Sequence, residues 1–121
     1  MSGLDWIAVA FLGGIGAVGR FLVDTAASRA YGGEFPLGTF VVNVSGSLVL
    51  GLLTGLDLTR TELLFAGTAT LGSFTTFSTW ALETQRLAED GELEVASLNL
   101  LLTLVAGLAA VTAGWLLGRV L

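Results

Sequence analysis

Apolar positions gather into four runs set apart by short polar stretches. The first is Trp6–Gly19, resuming after Arg20 with Phe21–Val23; then come Phe35–Leu56, Leu63–Leu82 and Val95–Gly118. Each of the last three holds 20 or more residues, which at about 1.5 Å per residue crosses a hydrocarbon core of roughly 30 Å. The first run needs Arg20 near its far end, where a long side chain snorkels to the interface or meets a partner. The pattern predicts an all-α membrane protein, a single domain with four transmembrane helices at about 4–28, 36–56, 62–87 and 94–120. The connections are short. Tyr31 suits the membrane interface, Pro36 the first turn of helix two, Thr59 with Glu62 a capping box, and Gly91 a turn.

The third run departs from a plain membrane anchor. Seven of the fourteen residues from Gly67 to Trp80 carry hydroxyls, in G-T-A-T-L-G-S-F-T-T-F-S-T-W, and no charge appears from Leu63 to Leu82. Irregular backbone at membrane depth survives only where protein buries it or it lines a polar path. A break in this helix is therefore expected mid-membrane. If it falls at Gly72 and Thr75, their freed carbonyls form a hard oxygen site suited to an alkali cation.

Composition removes several classes of function. There is no cysteine and no histidine, so disulfides, thiolate sites and transition-metal chemistry are not expected. Five arginines, no lysine and ten acids give a net charge of −5, which argues against a nucleic-acid partner. Asp5 stands where a signal peptide would be basic. Neither a nucleophile triad nor a phosphate loop is present, and the chain does not read as an enzyme.

The arginines also bear on orientation. Helix ends alternate sides, so Arg29 and Arg86 fall on one membrane face and Arg60 and Arg119 on the other, a tie that leaves the positive-inside rule without a preference. Such a chain inserts both ways, with an antiparallel homodimer as the natural product; the alternative is one orientation set by features other than charge. Gly51-Leu-Leu-Thr-Gly55 and Gly114-Trp-Leu-Leu-Gly118 are small-xxx-small faces for close helix packing, and Gly13, Gly14, Gly16 and Gly19 cluster in helix one.

Few side chains carry chemistry. Asn43 in helix two has two donors and two acceptor lone pairs to satisfy, either as glue between helices or as a donor to an anion; Thr39, Ser45 and Ser47 nearby favour a polar path. Phe77 and Trp80 share a helical face, either for packing or to turn their electropositive ring edges on a small anion. Arg20 and Asp24 are spaced to pair locally. Glu83 lies near the end of helix three, where it would face a vestibule. Asn99 and Thr103 share a face of helix four and extend the polar track or join helices.

Three motifs then carry a resemblance that spans nearly the whole chain: G-G-I-G-A-V-G-R-F (Gly13–Phe21), P-L-G-T-F-V-V-N-V-S-G-S-L-V-L-G (Pro36–Gly51) and G-T-A-T-L-G-S-F-T-T-F-S-T-W-A-L-E (Gly67–Glu83). The chain resembles the small fluoride channels called Fluc or CrcB. The resemblance implies an antiparallel dual-topology homodimer in the plasma membrane, with two pores each built from both subunits, that lets cytoplasmic fluoride out passively. Hydrogen fluoride enters cells as a neutral acid and dissociates, so the trapped anion needs a selective exit. By position, the resemblance puts Asn43, Thr39, Thr76, Phe77, Ser78 and Trp80 in the fluoride pore, with Asn99 and Thr103 on the track. Gly72 and Thr75 would supply the backbone carbonyls, two from each subunit, for a structural sodium ion at the dimer interface. Arg20 would be the helix-one arginine and Glu83 the vestibule acid. Trp80 stands where the family usually has a second phenylalanine, Asn99 where a tyrosine is common and Thr103 in place of a serine. An indole at position 80 offers an N–H donor and more bulk, compatible with an anion site but with an altered conduction rate. The runner-up is a small dual-topology proton-coupled exporter, which needs a carboxylate at membrane depth; helices two and four contain none.

Overall fold

The computed structural model describes residues 1–121, all of them in helices or short connections, with no strand. Three helices are long and apolar enough to cross a membrane: α1 (Gly3–Tyr31), α2 (Leu37–Gly55) and α6 (Leu93–Val120). The remaining apolar run is interrupted. It begins as α3 (Arg60–Glu62), winds as a π-helix over Leu63–Leu71, continues as α4 (Gly72–Phe74), breaks at Thr75 and Thr76, and resumes as α5 (Phe77–Glu89).

The helix ends follow local chemistry. Ser2 and Asp5 form a reciprocal capping box at the start of α1, and Thr59 with Glu62 does the same before α3. Gly32 closes α1 at φ 70°, in the left-handed region that glycine enters without a Cβ penalty, and its N–H donates to the Ser28 carbonyl at 3.1 Å. Gly91 takes φ 81° in the turn before α6. Helix α1 runs to Tyr31, about three residues beyond the expected end, because nothing before Gly32 breaks it. Pro36 stands one position outside α2 as its N-cap, not inside the first turn.

Packing relies on glycine. Helices α2 and α6 share the largest interface in the chain. A Cβ at Gly51 would meet the Val111 backbone, one at Gly114 the Leu48 carbonyl, and one at Gly118 the Leu52 carbonyl, so these two backbones lie in direct contact. The small-xxx-small faces thus pack against each other, as their spacing predicts. Helix α1 presses on the broken helix in the same manner: a Cβ on Gly16, a buried residue, would run into the Ser73 hydroxyl and the Thr70 carbonyl. Side chains facing away from these seams are mostly apolar and exposed, Phe11, Phe21, Leu101 and Val105 among them, as on a surface meant for lipid or another protein.

Candidate functional site

The break is held open by one side chain. Thr75 (φ −80°, ψ 159°) and Thr76 (φ −146°, ψ 124°) are extended. The Thr75 N–H still donates to the Leu71 carbonyl at 3.0 Å. In a continuous helix the next amide, Thr76, would donate to the Gly72 carbonyl four residues back. It donates to Asn43 Oδ1 instead, at 2.8 Å, while Asn43 Nδ2 donates to the Thr76 carbonyl at 2.8 Å. Asn43 on α2 therefore replaces the missing helical partner with a reciprocal pair. Its second amide hydrogen is left over, since the NH₂ carries two donors. The Thr76 hydroxyl then starts α5 by accepting from the Thr79 N–H at 3.2 Å.

Diverting Thr76 takes the helical donor away from the Gly72 carbonyl, which lies on the exposed side of the break. A groove of about 650 Å³ opens there; Asn43, Gly72, Thr75, Thr76, Phe77 and Trp80 are among its lining residues. Neutral carbonyl oxygens without a carboxylate suit a hard monovalent cation better than a transition metal, and no cluster of carboxylates offers a rival centre. The donor set fits the alkali cation expected at Gly72 and Thr75.

Phe77 and Trp80 meet edge to face, ring centroids 5.3 Å apart at 62°. Their surroundings differ sharply: Phe77 is 76% exposed and Trp80 only 8%. Trp80 Nε1 donates to the backbone carbonyl of Asn99 at 3.1 Å, so this donor is already committed. Asn99 is fully buried, its Nδ2 donating to the Thr84 hydroxyl at 2.8 Å and its Oδ1 accepting from Thr103 at 3.5 Å. Thr103 reaches the groove; Asn99 sits behind Trp80 and joins α5 to α6. Ser78 is exposed beside Thr76, with the two hydroxyls 3.4 Å apart.

On the other side of the break lies a cavity of about 190 Å³, where Arg20, Asp24, Thr39, Thr76 and Thr79 converge. The local Arg20–Asp24 pairing gives way to another contact, for Asp24 accepts from the Ser28 hydroxyl at 3.2 Å. Thr39 is 2% exposed, and its hydroxyl faces the Glu83 carboxylate without reaching full hydrogen-bond geometry. Further toward the membrane end, Glu83 lines an outer cavity of about 320 Å³ together with Arg86, Glu34 and Asp90. One Glu83 carboxylate oxygen is likewise buried and unpartnered. The groove is lined by α2, the broken helix and α6, the cavity on the other side by α1, α2 and the start of α5, and Thr76 borders both.

Thr84 and Thr79 were not singled out as site residues from the sequence. Thr84 stands four residues after Trp80, donates to the Trp80 carbonyl at 2.8 Å and accepts from Asn99; that spacing was the available signal.

A family model described as CrcB-like protein, Camphor Resistance (CrcB), matches residues 7–115. A Mycolicibacterium paratuberculosis protein named fluoride-specific ion channel FluC 2 is 52% identical over 109 residues, covering 90% of this chain and 89% of its own. The Mycobacterium tuberculosis H37Rv protein of the same name is 50% identical over 109 residues, covering 90% and 86%. Fluoride-specific ion channel FluC 1 of Symbiobacterium thermophilum is 41% identical over 121 residues, covering 95% and 98%.

Proposed function

This chain belongs to the CrcB family, and on that premise we propose that it is a fluoride-selective channel of the plasma membrane, releasing cytoplasmic fluoride passively. The observation that carries the reading is the Asn43 amide at the break, which gives one hydrogen to the Thr76 carbonyl and has the other uncommitted at the groove. A buried polar group left unpaired costs about 1–3 kcal/mol, and it is explained when a transient guest is its partner. The guest must be small and must accept hydrogen bonds. Fluoride is both.

Conduction then needs dehydration offset by donors. The spare amide hydrogen of Asn43, the Ser78 hydroxyl and the ring edge of Phe77 supply them, while the Thr76 and Thr103 hydroxyls, already donating to Thr79 and Asn99, line the path. Trp80 contributes its ring and not its N–H. Glu83 and Arg86 stand at the outer cavity, where the ion still carries water. A proton-coupled exporter is not favoured: the carboxylate beside the break, Asp24, shares its cavity with Arg20, and the relatives are named fluoride-specific ion channels.

The broken helix counts as the fourth span, and a second copy running antiparallel completes the site. The groove supports this: freed backbone cannot face hydrocarbon, and a second protein surface must cover it. The tie in arginines between the two membrane faces gives both orientations equal standing. Gly72 and Thr75 of each copy would hold a sodium ion between them, which supplies positive charge to the carbonyl ends of the two breaks. The test is fluoride efflux from proteoliposomes, read by an ion-selective electrode with chloride as control. Fast fluoride loss with negligible chloride loss is expected; no fluoride loss from folded protein in sodium refutes the proposal.

A further inference from the structure

Three hydrogen bonds close a ring around Trp80, and a fourth joins it from the side. Its indole N–H donates to the Asn99 carbonyl at 3.1 Å. The Asn99 amide donates to the Thr84 hydroxyl at 2.8 Å, and that hydroxyl donates to the Trp80 carbonyl at 2.8 Å. Thr103 approaches Asn99 Oδ1 at 3.5 Å from one turn further along α6. The ring thus starts and ends on Trp80, at its side chain and at its own backbone, and crosses from α5 to α6 and back.

This ring has no direct view of the groove except through Trp80 and Thr103. Asn99 is fully buried and Thr84 lies on the far side of Trp80. A tryptophan held only by packing has two torsions free to adjust; here Nε1 must stay within reach of a fixed carbonyl on α6, which leaves one orientation of the indole. Phe77, exposed and in edge-to-face contact with that indole, has its neighbour fixed in turn.

We propose that Thr84 and Asn99 are positioning residues that clamp Trp80, so that its ring and not its N–H is presented to the conducted ion and its edge contact with Phe77 is kept. The inference rests on the channel reading for its effect on transport, but the clamp itself is independent of it. The indole's own acceptor is a backbone carbonyl on α6, so the two side chains act one step back: the Asn99 amide and the Thr84 hydroxyl tie α6 to the Trp80 backbone and so keep that carbonyl within reach of the indole N–H.

Thr84→Val removes the hydroxyl at nearly constant shape, and Thr84→Ser keeps it. Both are made in the unaltered protein and in Trp80→Phe, and fluoride efflux is measured in liposomes. In parallel, Trp6→Phe with Trp115→Phe leaves Trp80 as the sole tryptophan, and its emission is recorded with Thr, Ser or Val at position 84. The expected result is a loss of efflux of about fivefold in Thr84→Val, the worth of one ordinary hydrogen bond, with Thr84→Ser close to the unaltered rate. In Trp80→Phe, Thr84→Val should change efflux less than about twofold, since the indole to be clamped is gone. The Trp80 emission should shift to the red in Thr84→Val only. Equal losses in both backgrounds would mean a purely structural threonine and would overturn the proposal, as would unchanged efflux and emission in Thr84→Val. If the unaltered folded protein passes no fluoride, the channel reading fails, and the emission of the single-tryptophan series alone decides the clamp.

Discussion

Replacing Asn43 by alanine leaves two backbone groups of Thr76 without partners, because the bonds to its N–H and its carbonyl, 2.8 Å each, are both to this side chain. Each orphaned buried group costs about 1–3 kcal/mol. The site is only partly buried and borders a groove that water can enter, so the total should fall at the low end, about 2–3 kcal/mol. At 1.4 kcal/mol per factor of ten, the Thr76 amide should exchange its hydrogen roughly 30- to 150-fold faster. Hydrogen exchange read by mass spectrometry on peptides spanning residues 70–80, in detergent or nanodiscs, measures this directly. Asn43→Asp separates the two roles of the side chain: it still accepts from the Thr76 N–H, so protection should persist, while its lost donor and added negative charge should abolish fluoride efflux. Exchange at Thr76 that is unchanged in Asn43→Ala would refute the idea that Asn43 pins the break, whatever happens to conduction.

Phe77→Ala should leave thermal unfolding of the chain within about 0.5 kcal/mol of the original, since the ring is 76% exposed, yet reduce fluoride efflux at least tenfold; a stability loss without a transport loss would contradict its place in the path. Thr39→Val should cost about 1 kcal/mol in an unfolding titration, because the buried hydroxyl that faces the Glu83 carboxylate is lost, while slowing efflux. Gly16→Ala should cost about 1–3 kcal/mol in an unfolding titration, because the new methyl meets Ser73 and the Thr70 carbonyl and α1 must back away from the broken helix. Exchanging sodium for a large organic cation should lower the melting temperature of the assembled protein and its fluoride efflux together; a melting curve blind to sodium would remove the cation from Gly72 and Thr75.

The long helices were legible because a run of 20 apolar residues has few alternatives in a bilayer, and their ends because Gly32, Gly91, Thr59 and Glu62 act locally. The break was legible as well: two adjacent threonines after a glycine, in a hydroxyl-rich span, mark backbone that is not meant for lipid. The π winding over Leu63–Leu71 was not. Nothing in L-L-F-A-G-T-A-T-L distinguishes five-residue from four-residue hydrogen bonding; the Thr70 hydroxyl donating to the Phe65 carbonyl at 2.8 Å matches that wider turn, but the same threonine would sit in an α-helix without complaint. Asn43 was legible as a polar anomaly, its partner was not, since Thr76 is 33 residues away. For Trp80 the indole N–H was visible in the sequence, but its acceptor is a backbone carbonyl nineteen residues on, and backbone acceptors leave no mark in composition. Side chains announce capacity; only the tertiary arrangement says how much of that capacity is already used.

The interruption at Thr75 and Thr76 has a consequence for electrostatics. Every helix end concentrates part of the peptide dipoles, about half a positive charge where the chain enters a helix and half a negative charge where it leaves. An uninterrupted span keeps both poles at the membrane surfaces, where water screens them. Here the negative pole of the Arg60–Phe74 stretch and the positive pole of α5 lie two residues apart in the protein interior. One side of the same break thus favours a cation and the other an anion, from the backbone itself and apart from any ionised side chain. A second copy laid antiparallel would double the pattern, with cationic charge gathered on the common axis and anionic charge kept to the flanks.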